Sequence, residues 1–256
     1  RFVDLVMPRL APLPAFNRRV LRVPLDLNHP LWIRDRPLDP ARHIFHCVVR
    51  SPGGMRELEQ LVGRIVSLPL DRSVPLWELH VCEGLEGGRV AVVAKLHHAI
   101  ADGAAANNLL AHATAGAPDP APSELEATPS RAQLAAAAVR DAVVQAFSLP
   151  ALIGRTVGRL LKVFGVVRDS DIAPPKPVLD TPRTSFNGPL GSRRNFATTT
   201  LALDDLKVIK NAHEVTLNDV LLAVVGGALR RWMEERGEHP KGSLVAAVPV
   251  GVDPPE

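Results

Sequence analysis

The hydrophobic positions of the chain predict alternating helices and strands. Apolar residues spaced three and four apart predict a helix over 54–68. Its apolar face would consist of Leu58, Leu61, Val62, Ile65 and Val66. The segments 77–83 (WELHVCE) and 89–98 (RVAVVAKLHH) predict strands, and the glycine-rich segment 84–88 between them is typical of a hairpin turn. The second run is apolar at almost every position before Lys95, which predicts a buried strand.

The helical pattern continues on both sides of a proline-rich connection at 114–130. Helices are expected at 103–113, 131–146 and 150–167. The last of these would have an apolar face made by Leu149, Ile153, Val157, Leu160, Leu161 and Phe164, opposite a basic face made by Arg155, Arg159 and Lys162. Such a helix favours packing on the domain over contact with a lipid surface. The longest apolar run, 220–229, is half of the roughly 20 residues that a membrane span needs, so no spanning helix is predicted.

A second connection at 171–192 precedes another α/β segment. A strand is expected over 195–203, followed by a short helix capped by Asp204 and Asp205. Thr216 is expected to cap a long helix, and a buried strand is expected over 243–252. The chain therefore has a mixed α/β pattern.

Composition narrows the possible functions. Hydrophobic residues make up 46% and charged residues 22%, as in ordinary globular proteins. Cys47 and Cys82 are too few for a disulfide framework, and no signal peptide is visible, so a cytoplasmic protein is expected. A formal charge of +3 with no stripe of basic and aromatic residues argues against a nucleic-acid partner, although it suits anionic groups such as CoA phosphates or lipid.

The candidate chemistry lies in HHAIADG, at the end of the second predicted strand. Neighbouring side chains on a strand point to opposite faces, so His97 and His98 are expected to have different roles. A histidine there suits a general base, Asp102 could tie the loop to an arginine or to backbone N–H groups, and Gly103 permits close backbone approach. A structural histidine pair beside a helix cap is the alternative, but the full pattern favours catalysis. The diverging histidines and the lack of a nearby ligand set argue against a metal.

Three segments carry a resemblance to a known family. HHAIADG resembles the HHxxxDG motif of the CoA-dependent acyltransferase superfamily, which includes chloramphenicol acetyltransferase. Residues 69–103, 184–194 and 216–232 together resemble the bacterial wax ester synthase/diacylglycerol acyltransferase family. The resemblance implies an α/β, chloramphenicol-acetyltransferase-like fold of two subdomains with a tunnel between them. It also implies that the chain is truncated at both ends and that the second subdomain is incomplete.

Under this resemblance the chain has three parts. Residues 1–113 would form the N-terminal subdomain, 114–194 a linker with amphipathic helices, and 195–256 the start of the C-terminal subdomain.

The resemblance also implies residue roles. His98 would be the general base, with His97 and Asp102 completing the catalytic motif and Gly103 permitting its loop. Substrate-proximal residues would be Pro75, Leu76, Trp77, Asn218 and Asp219. Trp77 could equally be a core aromatic residue. Asn218 and Asp219 stand in a first helical turn, which favours a capping role.

The implied reaction moves a long-chain acyl group from acyl-CoA to diacylglycerol or to a fatty alcohol. No cofactor is expected, since CoA arrives with the substrate. Peripheral contact with the inner membrane or with lipid droplets is a further expectation. Two alternatives stay open: an acyltransferase or condensation domain that uses a carrier-protein thioester, and a non-catalytic half-homologue that only binds lipid.

Overall fold

The computed structural model describes residues 2–100, 124–168 and 182–246. The chain divides into two compact units. The first consists of Arg1–Val157 with Ser192–Ala197, and the second of Gly158–Gly191 with Thr198–Glu256. The mixed α/β class expected from the sequence is confirmed by the elements of the first unit.

The first unit begins with two helices and a small β-ribbon, followed by a helix and a second sheet. Its elements are α1 (Phe2–Leu10), α2 (Pro14–Asn17), β1 (Arg19–Leu21), β2 (Leu31–Ile33), β3 (Ile44–Val48), α3 (Met55–Ser67), β4 (Trp77–Glu83) and β5 (Ala91–Leu96). The long helix α4 (Arg131–Arg168) follows. The predicted helix 54–68 and strand 77–83 are thus confirmed, and the strand predicted over 89–98 is present but shorter.

Strand β4 lies at the centre of the three-stranded sheet in the described part of the chain. The strand order is β3-β4-β5, with β3 parallel and β5 antiparallel to β4. A parallel pair needs a crossover connection, and α3 supplies it between β3 and β4. The prediction that β5 is buried is wrong, because β5 is the last strand of this sheet and Val92 is 49% exposed. The buried central strand is β4 instead.

Alternate residues of β4 enter two separate cores. Trp77, Leu79 and Val81 pack with Leu10, Phe16 and Ile44 on one side. Cys82 packs on the other side with α3, through Leu61 and Ile65. Both faces of this seven-residue strand are therefore covered, although polar residues alternate with its apolar ones.

Two glycines join the loops at the carboxyl ends of β3 and β4. Gly53 has a φ of +82°, and Gly84 has a φ of +85°. A side chain at Gly53 would overlap the carbonyl oxygen of Gly84. The amide of Glu86 donates to the carbonyl of Gly53 at 3.0 Å. Only glycine combines this conformation with such a close approach.

The β1–β2 ribbon is tied to its neighbours by a nearly buried ion pair. Arg19 donates to Asp35 through both Nε, at 2.8 Å from Oδ1, and a terminal guanidinium nitrogen. The side chain of Asp35 is 4% exposed, and Thr128 donates to its Oδ2 at 2.9 Å. The arginine holds the pKa of Asp35 well below its usual range.

Helix α4 corrects two predictions. Helices predicted at 131–146 and 150–167 form one helix with Pro150 inside it. A proline there removes one backbone hydrogen bond, but the leucines and alanines on both sides of it have high helix propensity and continue the helix. Leu134 and Ala138 are buried against Val23 of the first unit, whereas Leu152 and Ile153 are more than half exposed.

One helix meets the length and composition of a membrane span, although the sequence analysis expected none to do so. Arg131–Arg159 has a mean hydropathy of 1.4 over an 18-residue window, and core helices and signal sequences meet the same criterion. The sequence reading missed it because alanines interrupt the large apolar residues without adding charge.

The second unit contains α5 (Leu203–Ala212) and α6 (Leu217–Glu234), which meet at an angle of 104°. Thr216 caps α6 as predicted. No strand is present over 195–202, since this segment is not part of either sheet in the described residues, and α5 already begins at Leu203. The residue that caps α5 is Ala202, so Asp204 and Asp205 stand inside its first turn.

Candidate active site

The two histidines lie in a turn directly after β5. The strand ends at Leu96, so the argument that neighbouring strand residues face opposite ways does not apply to His97 and His98. The amide of His97 donates to the carbonyl of Leu76 at 3.0 Å, which extends the pairing with β4 by one bond. The amide of Ile100 donates to the carbonyl of His97 at 2.9 Å and closes the turn.

A backbone hydrogen bond fixes the tautomer of His97. The amide of Ala99 donates to Nδ1 of His97 at 3.1 Å. An amide can only donate, so Nδ1 must accept, and the neutral ring therefore carries its proton on Nε2. In that form His97 presents an N–H donor at Nε2, and the lone pair of its other ring nitrogen, Nδ1, already accepts the hydrogen bond from Ala99.

His98 has a different environment. It follows His97 directly and its side chain is exposed, whereas that of His97 is half-buried. The structure thus separates the two rings, and it leaves the ring of His98 accessible. Asp102 and Gly103, the other members of the motif, lie outside the described residues.

A cavity of about 540 Å³ adjoins the histidine turn. His97 and Ala99 line it together with Leu76, and the β1–β2 ribbon supplies Val20 and Trp32. Its polar lining residues include Arg22, Arg72, Ser73 and Asn28. A mainly apolar wall with a few polar groups suits a small amphiphilic molecule, and the volume falls in the range typical of ligand sites.

The predicted substrate-proximal segment Pro75-Leu76-Trp77 is divided between cavity and core. Leu76 lines the cavity of 540 Å³, and Pro75 lines a separate cavity of about 210 Å³. Trp77 is fully buried, and its Nε1 donates to the carbonyl of Phe16 at 2.8 Å. Trp77 is therefore a core residue here, and its neighbour Leu76 reaches both the cavity and the backbone of His97.

His43 is a buried residue that the sequence analysis missed. Its Nδ1 donates to the carbonyl of Trp77 at 2.8 Å, and its ring stacks on the indole. Burial lowers the pKa of His43, although the hydrogen bond to Trp77 and the nearby Asp39 and Glu78 act in the opposite direction. A histidine directly before an apolar strand was the only signal for it in the sequence.

A second polar cluster lies on the sheet, away from the histidine turn's cavity. Oε2 of Glu78 is 3.0 Å from Nε2 of His80 and 3.1 Å from Nζ of Lys95. Nδ1 of His80 is 3.7 Å from Sγ of Cys47. Because side chains alternate between the two faces of a strand, the sequence could have predicted that Glu78, His80 and Lys95 share one face of the sheet. Within this cluster, the positive charge of Lys95 offsets the negative charge of Glu78.

Asn218 and Asp219 lie in the second unit, at the start of α6. Asp219 accepts hydrogen bonds from the amide and the hydroxyl of Thr216, at 2.9 and 2.6 Å, and these bonds lower its pKa. These contacts of Asp219 are those of a helix cap, which is the role that the sequence favoured. Asn218 is exposed beside it.

Metal ligands are not grouped in the part of the chain that the structure describes. No set of three histidine, cysteine or acidic side chains there could hold an ion.

The sequence motif HHAIADG, with its two histidines in a turn of an α/β unit beside a cavity, is the feature of acyltransferases with an HHxxxDG motif. The family model for the wax ester synthase/diacylglycerol acyltransferase catalytic domain matches residues 1–221. The chain belongs to this family.

Curated relatives and a solved structure agree with this assignment. A protein of Mycobacterium tuberculosis assigned as a diacylglycerol O-acyltransferase is 39% identical over 244 residues, which cover 93% of this chain and 48% of the relative. A second such protein from that species is 38% identical over 256 residues, covering 94% and 52%. The chain thus spans about half the length of these relatives.

The solved wax ester synthase/diacylglycerol acyltransferase of Marinobacter aquaeolei VT8 matches with a TM-score of 0.64 and 26% identity. The match covers 97% of this chain and 55% of that chain. The expected chloramphenicol-acetyltransferase-like fold is confirmed by this likeness.

Proposed function

We propose that the chain is the part of an O-acyltransferase that contains the general base. The enzyme would move a long-chain acyl group from acyl-CoA to diacylglycerol, giving triacylglycerol, or to a fatty alcohol, giving a wax ester. His98 is the general base of this proposal. His97 positions the turn and lines the cavity in the form that carries its proton on Nε2.

One observation carries the assignment of the base, namely the hydrogen bond from the amide of Ala99 to Nδ1 of His97. Because that bond places the proton of a neutral His97 on Nε2, His97 is suited to donate a hydrogen bond. The ring of His98 is exposed and can accept a proton. The different surroundings of the two rings thus support different roles.

The chemistry needs no covalent enzyme intermediate. His98 takes the proton of the acceptor hydroxyl as its oxygen attacks the thioester carbonyl carbon. The tetrahedral intermediate then expels the CoA thiolate with cleavage of the C–S bond, and the protonated His98 returns the proton to sulfur. An N–H group of a cavity-lining residue, such as Nε2–H of His97, is of the kind that stabilises a developing oxyanion.

The cavity supports lipid substrates. Val20, Trp32 and Leu76 offer an apolar wall beside the histidine turn. Diacylglycerols and long-chain alcohols reside in lipid, so peripheral contact with a membrane or a lipid droplet belongs to the same proposal. The exposed apolar residues of α4, including Leu152 and Ile153, support that contact.

The test is a two-product assay of the full-length protein. Palmitoyl-CoA is supplied with dioleoylglycerol or with hexadecanol, free CoA is followed with a thiol reagent, and the ester is identified by mass spectrometry. We expect CoA and ester in equal amounts, with CoA release that depends on the acceptor. The matched control is His98→Ala.

Two results would contradict the proposal. Ester formation from a palmitoyl carrier protein but not from palmitoyl-CoA would favour the carrier-dependent alternative. Binding of dioleoylglycerol without turnover of either donor would favour a non-catalytic lipid-binding protein.

A further inference from the structure

A second concave site lies in the first unit, outside the histidine turn's cavity. It is a groove of about 890 Å³ between α3 and residues 192–196, and it shares no lining residue with the cavity at His97. We call it the arginine groove, since its described lining includes Arg56, Arg64, Arg193 and Arg194. Glu59 is the one acidic residue in the same lining.

Specific backbone contacts build the groove. Gly63 approaches the segment so closely that an added side-chain carbon would lie 3.0 Å from the carbonyl oxygen of Arg194. The amide of Arg194 donates to the hydroxyl of Ser67 at 2.8 Å, and that hydroxyl donates to the carbonyl of Gly63 at 2.7 Å. The segment is therefore held on the surface of α3, and the position of Arg193 relative to the helix is fixed through its neighbour.

The charges of the groove suit phosphate groups. Arg56 and Arg64 are exposed and stand two helical turns apart on α3, and Arg193 is exposed on the opposite wall. A guanidinium group stays protonated at every physiological pH and binds phosphate oxygens through two parallel N–H groups. Cations on both walls, separated along the helix, match a ligand with more than one phosphate better than a single ion.

The groove also offers apolar surface beside these cations. Phe196 is 45% exposed and Leu68 is 67% exposed, and both line it. An exposed aromatic ring next to arginines can stack with a nucleobase. Phosphate-binding and base-stacking groups in one groove together indicate a phosphorylated nucleotide.

We propose that the arginine groove binds the 3′-phosphorylated ADP portion of CoA, and this rests on the proposed use of acyl-CoA as the donor. Arg56, Arg64 and Arg193 bind the phosphates, and Phe196 stacks with adenine. The groove contributes affinity for the donor and takes no part in the chemical step.

Direct binding tests the site without any turnover. Adenosine 3′,5′-bisphosphate, CoA and inorganic phosphate are titrated into the full-length protein by calorimetry. The double variant Arg56→Glu/Arg64→Glu should weaken the binding of the bisphosphate and of CoA by at least about tenfold, since attraction becomes repulsion at two contacts. Arg50→Glu/Arg89→Glu makes the same charge change on exposed residues outside the groove and should leave both within about twofold.

Kinetics separate this inference from the proposed function. With palmitoyl-CoA, Arg56→Glu/Arg64→Glu should raise KM at least about tenfold and leave kcat within about twofold, as loss of uniform binding does. With the palmitoyl thioester of N-acetylcysteamine, which has no nucleotide, both constants should match those of the wild type. If the wild type transfers acyl groups from neither donor, the proposed function fails, while the binding measurement still decides the groove.

Other outcomes would overturn the inference. Unchanged affinity for the bisphosphate and for CoA in Arg56→Glu/Arg64→Glu would exclude the groove as the nucleotide site. A last experiment measures binding of the protein to phosphatidic acid vesicles, with phosphatidylcholine vesicles as the control. Loss of vesicle binding in the same variant with nucleotide binding intact would assign the groove to a lipid phosphate instead.

Discussion

The imidazole of His43 lies flat on the indole of Trp77. The ring centroids are 4.2 Å apart and the planes differ by 16°. His43 also donates from Nδ1 to the carbonyl of Trp77 at 2.8 Å, and the amide of Leu79 donates to the carbonyl of His43 at 2.7 Å. His43 is only 1% exposed, so it holds the start of β4 from inside the core.

This contact predicts a loss of stability in acid. Burial lowers the pKa of His43 below its ordinary value of 6.5. The unfolded chain therefore binds a proton before the folded chain does, and the contribution of His43 is fully present above about pH 6.5 and lost as the pH falls toward the folded pKa. The midpoint of thermal unfolding should decrease from pH 7 to pH 5.

The matched variant is His43→Asn, which keeps an N–H donor for the carbonyl of Trp77 but cannot titrate. We expect it to be less stable than the wild type at pH 7 and to show a shallower decrease between pH 7 and pH 5. Parallel curves for the two proteins, measured by scanning calorimetry, would contradict the role of His43.

Trp77 should affect stability more than chemistry. Trp77→Ala removes a fully buried side chain and should lower the free energy of unfolding by about 3–5 kcal/mol. Trp77→Phe keeps most of the volume but leaves the carbonyl of Phe16 without its donor, at a cost of about 1–3 kcal/mol. Urea unfolding followed by circular dichroism measures both.

Activity of Trp77→Phe below its unfolding temperature should stay within about twofold of the wild type, because the indole does not line the described cavity. A much larger loss of kcat with normal stability would make Trp77 a substrate contact after all.

The histidines should respond unequally to substitution. His98→Ala in the full-length enzyme should lower kcat by about 10²–10⁴-fold, the usual effect of losing a positioned base. His97→Asn should cost less, because an asparagine oxygen can still accept from the amide of Ala99. Steady-state rates with palmitoyl-CoA and dioleoylglycerol decide between them, and equal rates for wild type and His98→Ala would exclude His98 as the base.

The ion pair of Arg19 and Asp35 should be worth more than an exposed one. Asp35→Asn leaves a nearly buried guanidinium without its counter-charge and should lower the free energy of unfolding by about 3 kcal/mol. The control is Asp71→Asn, which breaks the exposed pair with Arg42 and should cost at most about 1 kcal/mol. Urea unfolding at pH 7 gives both values, and equal losses would show that burial of the pair has no effect.

Hydrophobic pattern predicted the elements whose burial is set locally. The spacing of Leu61 and Ile65 placed α3 within one residue at each end, and the segment WELHVCE gave the bounds of β4. The end of β5 was missed because a side-chain contact decides it. Nδ1 of His97 draws the amide of Ala99 into a turn, and nothing in the apolar pattern encodes that bond.

Features that depend on distant partners could not be predicted. Residues 195–202 have a strand-like composition, but a strand also needs a neighbour to pair with. The arginine groove depends on a hydrogen bond between Ser67 and Arg194, which are 127 residues apart. The sequence motif indicated the histidines and the resemblance indicated the family, whereas the tautomer of His97 and the core position of Trp77 became evident only in the structure.

The close contact of Gly53 with Gly84 makes Gly53 a position where one substitution should lower thermal stability at a distance from the histidine turn. Trp77 pairs with Leu96, so the histidine turn lies at one end of the sheet and the two glycine loops at the other. A side chain at Gly53 must push these loops apart, while the hydrogen bond from His97 to Leu76 is left undisturbed. Gly53→Ala is thus a rational design for a temperature-sensitive allele, and we expect warming to deplete the protein so that its physiological role can be tested.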